Sequence, residues 1–100
     1  MRSWRLLAAS VLIDDVAVEV TYADVYVVHR EGEGAPGPND WEATVHTAER
    51  QRLAPGTYTL AVDTVDDHRL SGHAVLRFSD GQRHLFRGDG HLAGVAAAIA

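Results

Sequence analysis

The sequence predicts an all-β fold: a small antiparallel sandwich or barrel of six to seven short strands, one domain over residues 1–100, closing on a short helix or a last strand. Three observations carry this. Apolar and polar residues alternate in VAVEVTY, WEATVH and TYTLAV, the period of a strand with one face buried. Asp80-Gly81 stands between two β-rich runs, the strongest short-range hairpin signal. The chain has 46% apolar residues and no cysteine, so a domain of this size must hold together by packing alone.

The elements follow in chain order. Residues 4–13 fit two patterns: Trp4, Leu7, Ala8, Val11 and Leu12 have helical spacing with Ser3 as a cap, while the length suits a buried strand. The clearly β sequence that follows favours the strand. From residue 16, Val16, Val18, Val20 and Tyr22 point one way, with Ala17, Glu19 and Thr21 opposite. Alternation resumes at Val25 and Val27 after Ala23 and Asp24, as one long bent strand or as two strands joined at a bulge. REGEGAPGPND, residues 30–40, contains three glycines and two prolines and no large apolar side chain, so it reads as a surface loop.

Trp41, Ala43 and Val45 then alternate inward, and Tyr58, Leu60 and Val62 share a face of the next strand. Between them, LAPGTYTL resembles the proline-glycine approach to a strand in carboxypeptidase-regulatory and transthyretin-like modules. The likeness implies a β class and carries no function. A two-residue turn at Asp80-Gly81 pairs Ser79 with Gln82, Arg77 with His84, Val75 with Phe86 and His73 with Gly88. One face of that hairpin carries Ala74, Leu76, Phe78 and Leu85 and is the expected core face. The other presents Val75, Arg77, His84 and Phe86, an apolar centre rimmed by polar groups and a candidate interaction face. The expected core is Val18, Val20, Trp41, Leu60, Leu76, Phe78 and Leu85.

Charge narrows the function classes. Net charge is −5, from 14 acidic and 9 basic residues, all nine of them arginine, a balance unsuited to gripping phosphate backbones. No nucleic-acid partner is expected. Two arginines precede a short apolar run at the N-terminus, yet Asp14 and Asp15 follow it directly in place of a small-residue cleavage site, and no run reaches the length of a membrane span. A soluble, cytoplasmic protein without a membrane partner is the expectation.

Chemical motifs are sparse. Arg87-Gly88-Asp89 has the form of an adhesion tripeptide, and Gly88, Gly90 and Gly94 have the outline of a phosphate loop. The second needs a following strand and an acidic residue about 20 positions on, and six residues remain after Gly94. Both are better read as a turn. VDDHRLSGH and GDGH approach one another at the open end of the hairpin, making His68, His73, Asp89 and His91 candidate ligands for a first-row divalent metal, or a His/Asp pair for acid–base work. The sequence has no G-x-S-x-G, cysteine nucleophile or lysine for a Schiff base. No cofactor is expected. The reading that results is a non-catalytic protein-interaction or assembly module, acting on a protein partner or by self-association. The alternative is a small ligand-binding protein or metal-dependent enzyme.

Overall fold

Seven strands and one short helix form a closed antiparallel barrel in a computed structural model that describes residues 2–29 and 40–99. The strands are β1 (Arg2–Ile13), β2 (Val16–Val18), β3 (Val20–His29), β4 (Asp40–Thr47), β5 (Thr57–Thr64), β6 (Arg69–Ser79) and β7 (Arg83–Gly88), followed by α1 (Val95–Ala98). Six of them run β1-β3-β4-β7-β6-β5, and β5 returns to pair with β1, closing the barrel. β2 pairs with β1 at the rim. Closure removes most of the free edges an open sheet would present. The loop expected at residues 30–40 lies, except for Asp40, outside the described residues.

A six-stranded barrel is narrower than one of about eight strands, whose interior side chains already fill. Among the described residues, fifteen buried apolar side chains accordingly form one cluster, with Phe86, Leu60 and Leu70 the largest fully enclosed. Leu92 and Val95, from the segment after β7, are buried in the same cluster, and Leu53, from the segment between β4 and β5, packs against it. Trp41 and Leu60 are core residues as expected, and Val18, Val20 and Leu76 pack at its margin.

Among the described residues, three bulges decide which side chains face in. In β1 the register shifts between Ala8 and Ser10, so Trp4, Leu6 and Ala8 point inward before it and Val11 and Ile13 after it. That broken alternation is why residues 4–13 also resemble a helix. In β3 the shift between Val20 and Tyr22 places Ala23, Val25 and Val27 inside and turns Tyr22 outward, correcting the expectation that Tyr22 shares the face of Val20. In β6 the shift between Leu76 and Phe78 sets Arg77 as the extra residue.

The β6–β7 turn is also displaced from its expected position. Asp80 N–H donates to the Arg83 carbonyl, making Gly81 and Gln82 the central residues, and the Asp80 carboxylate accepts from Gln82 N–H at 2.9 Å and Arg83 N–H at 2.7 Å. This Asx arrangement competes with the simple Asp-Gly turn. Ser79 therefore pairs with His84, Phe78 with Leu85 and Leu76 with Phe86. Phe78, expected in the core, is 45% exposed, and Leu85 is half-buried.

Candidate interaction surfaces

The shifted hairpin dissolves the predicted interaction face. His84 and Phe86 are each 0% exposed and lie inside the barrel, while Val75 and Arg77 lie outside the packed core. The register expected for this hairpin had put all four on one outer face; the displaced turn and the Arg77 bulge separate them.

His84 is held in a single tautomer by its neighbours. Thr47 Oγ1 donates to the Glu49 carbonyl at 2.7 Å, leaving its lone pair toward His84 Nε2 at 3.4 Å. The ring proton thus belongs on Nε2, and Nδ1 accepts from the Ser79 hydroxyl at 2.8 Å. Ser79 Oγ in turn accepts from Gly81 N–H at 3.2 Å. Burial holds the imidazole pKa below its ordinary value; the Asp80 charge pulls it back up and His46 pushes it further down. A neutral, internally satisfied histidine is an anchor for the turn, and sequence alone offered no sign that it would be enclosed.

The predicted metal ligands do not converge. His68 ends the β5–β6 turn, its N–H donating to Thr64 Oγ1. His73 lies on the outward row of β6 with Nδ1 3.3 Å from Thr59 Oγ1. Five residues of strand, about 16 Å, separate the two positions. The expected approach of the two segments does occur, since Asp89 N–H donates to the His73 carbonyl and Ser71 bridges to Ala93. Among the described residues, however, no group of three or more His, Asp or Glu side chains is placed to hold a metal ion.

Two surface features were not foreseen. The first is the outer face of β1, β3, β4 and β7, reaching β6. Arg5, Tyr26, Glu42, Arg87 and Val75 are successive cross-strand neighbours in one row. Leu7, Asp24, Thr44, Leu85 and Phe78 form the next row. Leu7, Tyr22, Tyr26 and Phe78 are all substantially exposed. Asp24, although outward, is only 6% exposed because Tyr22 donates its hydroxyl to it and Arg5 Nη1 stands 3.6 Å away. That hydrogen bond is the main reason the Tyr22 pKa lies above its ordinary value, with partial burial and the Asp24 charge adding to it. The guanidinium of Arg5 also lies 5.7 Å from the Tyr26 ring centre, and that of Arg83 5.6 Å from Phe78.

A cleft of about 260 Å³ opens on this face beside Tyr26, Glu42 and Arg87. Small-molecule sites usually enclose 300–1,000 Å³, so this one suits a side chain of a docking surface better than a free ligand. The chain matches no known family model, and no curated protein or solved structure is recognisably similar to it. Function must therefore be argued from these surfaces. Among the described residues no helix is long and apolar enough to cross a membrane.

The signal for the outer face was present in VTYADVYVV. Once Ala23, Val25 and Val27 are taken as one face, Tyr22, Asp24 and Tyr26 must form the other. What hid it was the bulge at Thr21, which joins two runs of opposite parity.

The second feature lies where β6 extends past β5. The β5–β6 ladder ends at Thr57 and Val75, with Leu76 N–H donating to the Gly56 carbonyl, whereas β6 continues to Ser79. The segment between β4 and β5 runs alongside, tied to the hairpin turn by Gln51 N–H on the Gly81 carbonyl and by Arg50 Nη2 on the Asp80 carbonyl.

Proposed function

We propose that this protein is a non-catalytic assembly module in which two copies associate through the outer face of β1, β3, β4 and β7. The observation that carries the reading is the adjacency of Glu42 and Arg87. They are cross-strand partners, yet among the described residues neither makes an ion pair within the chain. A two-fold axis running parallel to the strands between β4 and β7 sets Glu42 of each copy against Arg87 of the other. The same operation sets Thr44 of each copy against Leu85 of the other. Such an interface is isologous and self-complementary.

Composition agrees with this reading. Tyrosine, arginine and phenylalanine dominate the energetic centres of protein interfaces, because they offer large contact area at low entropic cost together with a polar group. The face also balances Arg5, Arg83 and Arg87 against Asp24 and Glu42 on a chain whose net charge is −5, so copies meet here with less repulsion than elsewhere. The enzyme or ligand-carrier alternative draws no support from the dispersed His68, His73, Asp89 and His91.

Light scattering over a concentration series tests the proposal. The wild-type chain should be a dimer, Arg87→Glu should weaken association at least about tenfold, and the exchange Glu42→Arg with Arg87→Glu should restore it, as expected for charge pairs coupled by a few kcal/mol. A wild-type monomer at high concentration rejects the interface, as does a charge exchange that fails to recover the dimer.

A further inference from the structure

We infer that the cleft between residues 50–53 and the β6–β7 turn binds a small phosphorylated polyol, its phosphate held by Arg50 and Arg52 and a hydroxyl by Asp80. This site lies apart from the Glu42–Arg87 row and does not depend on the two-copy interface. The cleft has a volume of about 470 Å³, within the range of about 300–1,000 Å³ usual for small-molecule sites. Arg50 to Leu53 line one side and Ser79 to Gly81 the other. The two walls are tied together within the chain, Gln51 N–H donating to the Gly81 carbonyl at 2.7 Å and Arg50 Nη2 to the Asp80 carbonyl at 3.0 Å. The Arg50 guanidinium rests on the bare glycine of the turn, since a Cβ built at Gly81 would stand 2.7 Å from Nη2. A guanidinium already held in place loses little freedom on binding.

Charge and hydrogen-bonding capacity identify the ligand. Arg50 commits a single guanidinium nitrogen to the chain, and Arg52 makes no hydrogen bond or ion pair among the described residues. Two guanidinium forks beside one cleft match the oxygens of a compact dianion, and a phosphate monoester has the charge and the geometry for both. The chain carries −5 overall, so a phosphate approaches against the general field and must be held by this local pair. Asp80 decides what the phosphate is attached to. Its Oδ1 accepts from both Arg83 N–H and Gln82 N–H, while Oδ2 has no hydrogen-bond or ion-pair partner among the described residues. Those amides, Arg83 first, hold its pKa below the ordinary carboxylate value, so the group stays ionised and only accepts. A carboxylate repels phosphate and accepts from a hydroxyl, so a ligand that suits the whole lining carries phosphate at one end and hydroxyls at the other. Leu53 offers its carbon skeleton an apolar contact. The Ser79 hydroxyl takes no direct part, being donated to His84 Nδ1.

The probe is glucose 6-phosphate, followed in proton–nitrogen correlation spectra, with inorganic phosphate and glucose titrated separately. Glucose 6-phosphate should shift the Gln51 and Gly81 amides saturably, glucose should not, and inorganic phosphate should bind at least about tenfold more weakly than the ester. Arg52→Ala should weaken glucose 6-phosphate at least about tenfold through the lost charge-assisted hydrogen bonds. Its melting temperature should match the wild type, because that side chain has no partner in the described chain to lose. Asp80→Asn keeps an oxygen for the two amides and removes the charged acceptor, so it should narrow the preference for glucose 6-phosphate over inorganic phosphate by at least about threefold. The inference is overturned if no saturable shift occurs, or if glucose or inorganic phosphate binds as tightly as the ester. It is equally overturned by an Arg52→Ala variant that binds like the wild type or melts below it, or by a preference that Asp80→Asn leaves unmoved.

Discussion

Gly88 should not tolerate a methyl group, because the indole of Trp41 lies on it. A Cβ at Gly88 would stand 2.3 Å from Trp41 Cε2 and Nε1 and 2.5 Å from Cδ1, against ordinary contacts of 3.4 Å and more. The ring would have to retreat by more than about 1 Å, and it is buried, with Gly72 against its far edge at 3.0 Å from Cζ2 to a built Cβ. Retreat would also stretch the bond from Trp41 Nε1 to the Gly90 carbonyl, now 3.1 Å. Overpacking typically costs about 1–3 kcal/mol and a lost buried hydrogen bond about 1 kcal/mol, so Gly88→Ala should destabilise by about 2–4 kcal/mol. Gly88 does not have positive φ, so alanine's backbone preferences add nothing. Urea unfolding followed by far-ultraviolet circular dichroism measures the change without relying on Trp41 as reporter. In a Trp41→Phe background the same substitution should cost at least about 1 kcal/mol less, giving a coupling energy for the pair. A Gly88→Ala loss below about 0.5 kcal/mol, or an equal loss in both backgrounds, refutes the packing argument. The glycine of the Arg87-Gly88-Asp89 tripeptide is thereby explained by a tryptophan.

The remaining predictions concern pH and turn chemistry. Because the folded pKa of His84 is depressed while the unfolded chain binds a proton near the ordinary value of about 6.5, its contribution to stability is fully present above pH 6.5. It is lost as pH falls below that value toward the folded pKa, with a limiting slope of about 1.4 kcal/mol per pH unit. His84→Leu should flatten that part of the urea-midpoint profile, and an unchanged slope would show that other groups produce it. Asp14 and Asp15 both have positive φ, 49° and 64°, forming a type I′ turn between β1 and β2. Asp14 is tied to Thr59 twice at 2.8 Å, its N–H donating to the Thr59 carbonyl and its carboxylate accepting from Thr59 N–H, so Asp15 is the position to relax. Asp15→Gly should stabilise by about 0.5–1 kcal/mol, raising the melting temperature by a few degrees in calorimetry; a lower value would mean that glycine's chain entropy outweighs the relieved strain.

Local pattern was enough for the elements and for some of their faces. Trp41, Ala43 and Val45 point inward on β4, and Leu60 and Val62 on β5, as their alternation requires, since neither strand contains a register shift. The hairpin of β6 and β7 was recognisable as a hairpin, yet its faces were not. Asp80 captures the amides that follow it and Arg77 is an added residue, and each change is worth a residue or more of register. The candidate sites fared accordingly. Local pattern points His84 and Phe86 outward through a register that the fold does not adopt. Alternation carried unbroken from Val20 points Tyr22 inward, and the bulge between them reverses it.

The sequence by itself determined that this chain is all-β, where most of its strands lie, and that packing without disulfides must stabilise it. These depend on composition and on contacts between residues two apart, which every stretch carries with it. Tertiary structure alone decided the closure of β5 onto β1, the enclosure of His84, the exposed row from Arg5 to Val75 and the extension of β6 past the end of β5. Each depends on which distant strand lies alongside and in what register. A bulge that satisfies such a long-range pairing inverts every side chain beyond it while leaving the local composition unchanged.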